Sequence, residues 1–121
     1  MNKKLRDIEI IITDMFEEQE KKLSPDERNA FSDSMENLVQ TLRRKNWTNK
    51  LYHPQGALYP SDIKKSDFSL HLYKATPTLY TILTIHEDHL FQQKVLRLYQ
   101  IAHKEDKIEK FNDIAEKIIK L

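Results

Sequence analysis

Leu5, Ile8, Ile11, Ile12 and Met15 recur at three- and four-residue steps, and Lys4, Asp7, Asp14, Glu17 and Glu18 fall on the opposite side. That spacing lines up one face of a helix and predicts an amphipathic helix over about 3–22. "LSPDERNAF" then supplies a helix start: Ser24 as N-cap, Pro25 at the first helical position and Glu27 as the capping-box partner. The apolar face Phe31, Met35, Leu38 and Leu42, with Val39 alongside, carries this second helix to the basic Arg44-Lys45, which suits the carbonyl end of the dipole. Two helices joined so tightly are expected to pack as an antiparallel hairpin over 1–45.

Between 46 and 67 the sequence holds two of the four prolines and the single glycine, without a sustained period. This predicts a long loop anchored by Trp47, Leu51, Tyr52, Leu58, Tyr59 and Ile63. The period then changes to two. Phe68, Leu70 and Leu72 alternate with Ser69, His71 and Tyr73, "ATPT" at 75–78 reads as a turn, and "LYTILTI" is rich in β-branched and aromatic residues. A second turn is expected at "HEDHLFQQ", 86–93, before the nearly continuous apolar run from Val95 to Ala102, which suits a strand covered on both faces. Ile108, Phe111, Ile114, Ala115, Ile118 and Ile119 return to helical spacing and predict a terminal helix over 107–120. The expected fold is therefore α+β: a helical hairpin, a long loop, a three- or four-stranded antiparallel sheet over 68–103 and a final helix.

At 121 residues, with 39% hydrophobic and 32% charged positions, the chain suits one soluble globular domain. The absence of cysteine excludes disulfides, thiolate metal ligands and a cysteine nucleophile. The acids Asp7, Glu9 and Asp14 interrupt the first apolar run as a signal peptide would not allow, so a cytoplasmic location without membrane contact is expected. A formal charge of +1, nearly even on either side of Lys50, means that contact with nucleic acid must be local. The basic "RRK" at 43–45 is explained by the helix end it occupies, and "HEDH" at 86–89, read as part of a turn with no third ligand, is weak as a metal site.

Three stretches carry a family likeness: "SDIKKSDFSLHLYKA", "TLYTILTI" and "VLRLYQIAHKEDK". In these, and in its overall order of elements, the chain resembles the RelE/ParE superfamily of small toxins from toxin–antitoxin pairs. The motif-level likeness covers about forty residues from Ser61. It implies a cognate antitoxin laid over the sheet and the hairpin grooves as partner, and, in the ribosome-dependent members, cleavage of messenger RNA without a metal or other cofactor. That chemistry takes a proton from a ribose 2′-hydroxyl, returns one to the leaving 5′-oxygen and holds charge on the phosphate.

Matched residue by residue, the likeness points to Lys74 near the end of the first meander strand, Tyr80 at the start of the second, and His103 with Lys104 after the last, with His71 as a further candidate. Histidine can shuttle a proton near neutral pH, and a lysine can hold the phosphate. Where the family typically places an arginine directly after the strand-leading tyrosine, this chain has Thr81. The same likeness also includes a non-enzymatic alternative, a gyrase-poisoning or inactive member that keeps only its protein contact. Without the likeness, His103, Lys104 and Lys74 read first as ordinary solvated residues beside turns, and His71 with Tyr73 as the outer face of the sheet packed against the loop.

Overall fold

The computed structural model describes residues 2–5, 8–43, 68–88, 90 and 93–119. The expected loop over 46–67 and His89 lie outside them. Among the described residues, five strands and three helices follow in the order β1 (Asn2–Leu5), β2 (Ile8–Ile12), α1 (Asp14–Lys21), α2 (Pro25–Leu42), β3 (Phe68–Lys74), β4 (Leu79–Asp88), β5 (Gln93–His103) and α3 (Lys107–Ile119). The strands form one sheet, ordered β1-β2-β5-β4-β3.

The fold is α+β, but its amino-terminal part departs from the expected pair of long helices. Residues 2–12 form an antiparallel strand pair, and only Asp14–Lys21 is helical before α2. Isoleucine at 8, 10, 11 and 12 satisfies a period of two as well as one of three and four, and its branched Cβ favours the extended chain. Ile8 is buried with Ile10 and Ile12 packed on the same cluster, as alternation in a strand requires. Met15, a member of the expected helical stripe, is 43% exposed.

The sheet is also mixed rather than purely antiparallel. β2 runs parallel to β5, pairing Ile8 with Lys94 and Ile12 with Leu98, while β3, β4 and β5 form the antiparallel meander. The path from β2 through α1 and α2 and on to the meander supplies the crossover that a parallel pair needs. β4 continues to Asp88, so His86 and Glu87 belong to a strand rather than to the turn expected at 86–93.

Helices pack on both faces of the sheet, as the apolar run from Val95 to Ala102 suggests. On one side Phe16 of α1 and Phe31, Leu38, Val39 and Leu42 of α2 pack on Leu79, Leu83, Ile85, Leu96, Leu98 and Ile101. On the other, Phe111, Ile114 and Ala115 of α3 pack on Leu70, Leu72, Tyr80, Ile82 and Ala102. The α2 start carries the full capping box, with Glu27 N–H donating to Ser24 Oγ at 3.2 Å and Ser24 N–H to Glu27 Oε1 at 3.1 Å.

β5 contains a bulge. Ile82 pairs with Gln100 and Leu83 with Leu98, so Tyr99 is the extra residue. β2 ends opposite Leu98, and α1 takes over the β5 groups beyond it. The Thr13 hydroxyl, N-cap of α1, lies 2.9 Å from the Leu98 carbonyl and 3.0 Å from that of Tyr99, and Gln19 Oε1 accepts from Ile101 N–H at 2.7 Å.

A short helix thus completes the edge of a strand, and its cost of removal is measurable. Gln19→Ala is expected to lower stability by about 1–3 kcal/mol, because a part-buried N–H loses its acceptor. Urea denaturation checks this, with Gln19→Glu, which keeps an acceptor oxygen, expected to lose less.

Candidate active site

The meander register gathers four of the five sequence-derived candidates at one end of the sheet. Lys74 pairs with Tyr80, Tyr80 with Ala102, and Leu79 with His103. Neighbouring strands lie about 4.8 Å apart, so Lys74 and the His103-Lys104 end of β5 are separated by roughly 10 Å across β4. Two turns fix this end. The Thr76 hydroxyl accepts from Thr78 N–H at 3.3 Å and Leu79 N–H at 3.0 Å, closing the 75–78 turn. Lys104 N–H then donates to the Thr78 carbonyl at 2.9 Å, tying the β5 terminus to that turn.

Lys74, His103 and Lys104 are exposed. Lys107 joins them from the first turn of α3: its ammonium lies 5.0 Å from the centre of the Tyr80 ring and donates to the Lys104 carbonyl at 3.3 Å. Such a cation over an aromatic face is held in place by the ring quadrupole. Sequence reading missed Lys107, although its spacing of three from Lys104, across a turn leading into a helix, was the available signal.

Three arrangements differ from the expected site. Tyr80 is only 4% exposed and lies in the core beneath α3, so it shapes the floor of the cluster more than it presents a free phenol to solvent. His71 sits in the middle of β3, 5% exposed, on the face opposite Leu70 and Leu72. Its neighbour two positions on, Tyr73, shares that face and has its hydroxyl 3.1 Å from both the Ser34 hydroxyl and the Ser34 carbonyl. His71 is therefore an interior residue on the α2 side and does not join the strand-end group.

The third difference concerns side. Lys74 and Tyr80 share the α3 side of the sheet, whereas His103 pairs with Leu79, whose side chain belongs to the α1/α2 side. As the last residue of β5 and exposed, His103 sits at the rim where the two faces meet. Thr81, at the position where the family likeness calls for an arginine, is fully buried on the α2 side, its hydroxyl 3.6 Å from Met35 Sδ. An arginine there would put a guanidinium into the core.

A second feature lies on the α1/α2 side. An open groove of about 500 Å³ runs between α2 and the β2–β5 part of the sheet, floored by Ile10, Ile12, Leu96 and Leu98 and walled by Met35 and Val39. Glu20, Glu36 and Arg43 stand along it. No cluster of three or more histidine and carboxylate side chains that could hold a metal occurs among the described residues. Among the same residues, no helix is long and apolar enough to cross a membrane. Compared with protein-family models, with curated proteins and with solved structures, the chain matches none.

Proposed function

We propose that this chain is the toxin component of a toxin–antitoxin pair of the RelE/ParE type, an endoribonuclease that cleaves messenger RNA by attack of a ribose 2′-hydroxyl. The observation that carries the reading is the gathering of Lys74, His103, Lys104 and Lys107 around one end of three adjacent strands in a chain of formal charge only +1. A local cationic cluster is what a protein of nearly neutral charge needs in order to hold one phosphodiester.

His103 takes the 2′-hydroxyl proton as that oxygen attacks phosphorus. The P–O5′ bond breaks, and the imidazolium returns the proton to the leaving 5′-oxygen, leaving a 2′,3′-cyclic phosphate. Lys74, Lys104 and Lys107 hold the non-bridging oxygens while charge builds on them. The antitoxin is read as occupying the groove between α2 and the β2–β5 part of the sheet, where half-buried Ile10, Ile12 and Met35 offer an apolar floor and wall.

One observation favours a second reading, a non-enzymatic member that acts through protein contact. Tyr80 and Thr81, the second and third residues of β4, are both buried, and neither offers a charged group to a substrate. Expression of the wild-type chain separates the two: growth arrest with cleaved messenger RNA supports the nuclease, and growth arrest with intact RNA and inhibited supercoiling supports a gyrase-directed binder. The ribosome enters the same test as a fraction added to, or left out of, the cleavage reaction.

A further inference from the structure

Lys107 stands where a lysine gains least from its own helix. It is the first residue of α3, the end at which the helix dipole favours an acid over a cation. Lys74 and Lys104 already bring positive charge to the same end of the sheet. Glu105, Asp106 and Glu109 are its neighbours in the preceding turn and the first turn of α3, yet among the described residues Lys107 forms an ion pair with none of them. Its ammonium lies instead over the Tyr80 ring, 5.0 Å from the centre, and donates to the Lys104 carbonyl at 3.3 Å. Charge gathered against the local preference costs stability, and conflicts of that kind are expected at functional sites.

Both partners of the ammonium are themselves fixed. Tyr80 is buried in the α3-side core, between Lys74 of β3 and Ala102 of β5 in the sheet register. Lys104 is held by its N–H, which donates to the Thr78 carbonyl at 2.9 Å, and the turn closes as Asp106 N–H donates to the His103 carbonyl at 2.9 Å. Lys107 therefore ties a core ring to the turn that follows His103. A lysine without such contacts samples many rotamers on its four-carbon stem. Of its three N–H donors one serves the Lys104 carbonyl, and the others are left for the ring face and for a phosphate oxygen.

We infer that Tyr80 is a positioning residue: its ring holds the Lys107 ammonium at the strand-end cluster, so that this cation meets an RNA phosphate already oriented. The ring is the working part, and the phenolic hydroxyl takes no proton in the reaction. A buried tyrosine can do this without touching the substrate, which matches its 4% exposure. A preorganised cation loses less freedom when the phosphate arrives, and affinity rises without a new contact. The contact is expected to be worth about threefold to tenfold in binding. The inference rests on the reading of the cluster as an RNA-acting site and deepens it by giving Tyr80 a role through Lys107.

The test titrates the full chain against a fluorescent single-stranded hexaribonucleotide carrying 2′-O-methyl groups, which binds without being cleaved. Tyr80→Leu, which keeps an apolar side chain beneath α3, is expected to weaken binding about threefold to tenfold, and Tyr80→Phe, which keeps the ring, to restore it. Lys107→Met keeps the stem and removes the charge; in that background Tyr80→Leu is expected to cause no further loss. A merely structural tyrosine would instead give losses that add. Proton NMR of the wild type needs no variant: the Lys107 Cε protons, shielded by the ring current, are expected upfield of those of Lys117, exposed on the same helix. Additive losses, a Tyr80→Phe variant as weak as Tyr80→Leu, equal lysine shifts, or no binding by the wild type would each overturn the positioning role. Cleavage of the unmodified hexamer is read separately. Ring-dependent binding without cleavage upholds the role of Tyr80 while removing the nuclease reading, and cleavage with a KM unchanged in Tyr80→Leu does the reverse.

Discussion

Lys74→Ala combined with Lys104→Ala is expected to reduce RNA cleavage at least a hundredfold while leaving the fold intact. Both side chains are exposed at strand ends, so their removal opens no cavity and leaves no buried partner unsatisfied. The backbone bond from Lys104 N–H to the Thr78 carbonyl is retained in the variant, and with it the join between the β5 terminus and the 75–78 turn. What is lost, on the proposed nuclease reading, is the charge that would hold the phosphate as it gains negative character. Single donors of that kind are worth about 10²–10³ in rate. Lys107 remains over the Tyr80 ring, so some activity is expected to persist, and adding Lys107→Ala is expected to lower it further. Initial rates on a labelled RNA, with circular dichroism as the control for folding, measure the effect.

The largest effect on stability is expected from Phe31→Ala, at about 3–5 kcal/mol. Phe31 is fully buried, and its ring meets that of Phe16 at 5.8 Å with the planes tilted by 45°. Phe16 is the only buried residue of α1, so this contact joins the eight-residue helix to α2. α1 in turn completes the hydrogen bonding of β5 through Thr13 and Gln19. Loss of the Phe31 ring therefore loosens α2, α1 and the central strand together. Against a total stability of about 5–15 kcal/mol, the variant is expected to be largely or partly unfolded at physiological temperature. The midpoint of urea denaturation measures it, and Leu38→Ala, also fully buried on α2, is expected to follow with about 2–5 kcal/mol.

The parts of the fold that were legible in the sequence are those whose signals are local. Ser24, Pro25 and Glu27 declare the α2 start within four residues, and each acts as its position predicts. β3 shows its period of two, β4 its β-branched and aromatic residues, β5 its apolar run and α3 its helical spacing, each inside one element. β2 was not legible because its isoleucines fit both periods. Its partner β5 lies more than eighty residues away, so tertiary pairing decides between strand and helix.

The candidate site divides along the same line. A strand reading places Lys74, Tyr80, His103 and Lys104 at strand ends, but it does not give the side on which each faces. In an unbroken strand His103 would share its side with Arg97. The extra residue Tyr99 inverts the alternation and sends Ile101 and His103 to the α1/α2 side. The apolar spacing Leu96, Leu98, Ile101, with its single step of three, is the trace of that bulge in the sequence. His71 was misplaced for a different reason. The same two-residue period describes a solvated face and one buried beneath a helix, and α2 lies over this one, as the Tyr73 contact to Ser34 shows.

If the strand-end cluster performs 2′-hydroxyl attack without a metal, the ends of the RNA products report on it directly. Wild-type chain incubated with single-stranded RNA in excess chelator, with and without ribosomes, is predicted to yield fragments ending in 2′,3′-cyclic phosphate or its 3′-phosphate hydrolysis product, paired with 5′-hydroxyl ends. His103→Ala is predicted to slow their formation by about 10²–10⁴. Fragments ending in 3′-hydroxyl, cleavage that stops on chelation, or intact RNA under every condition would contradict it.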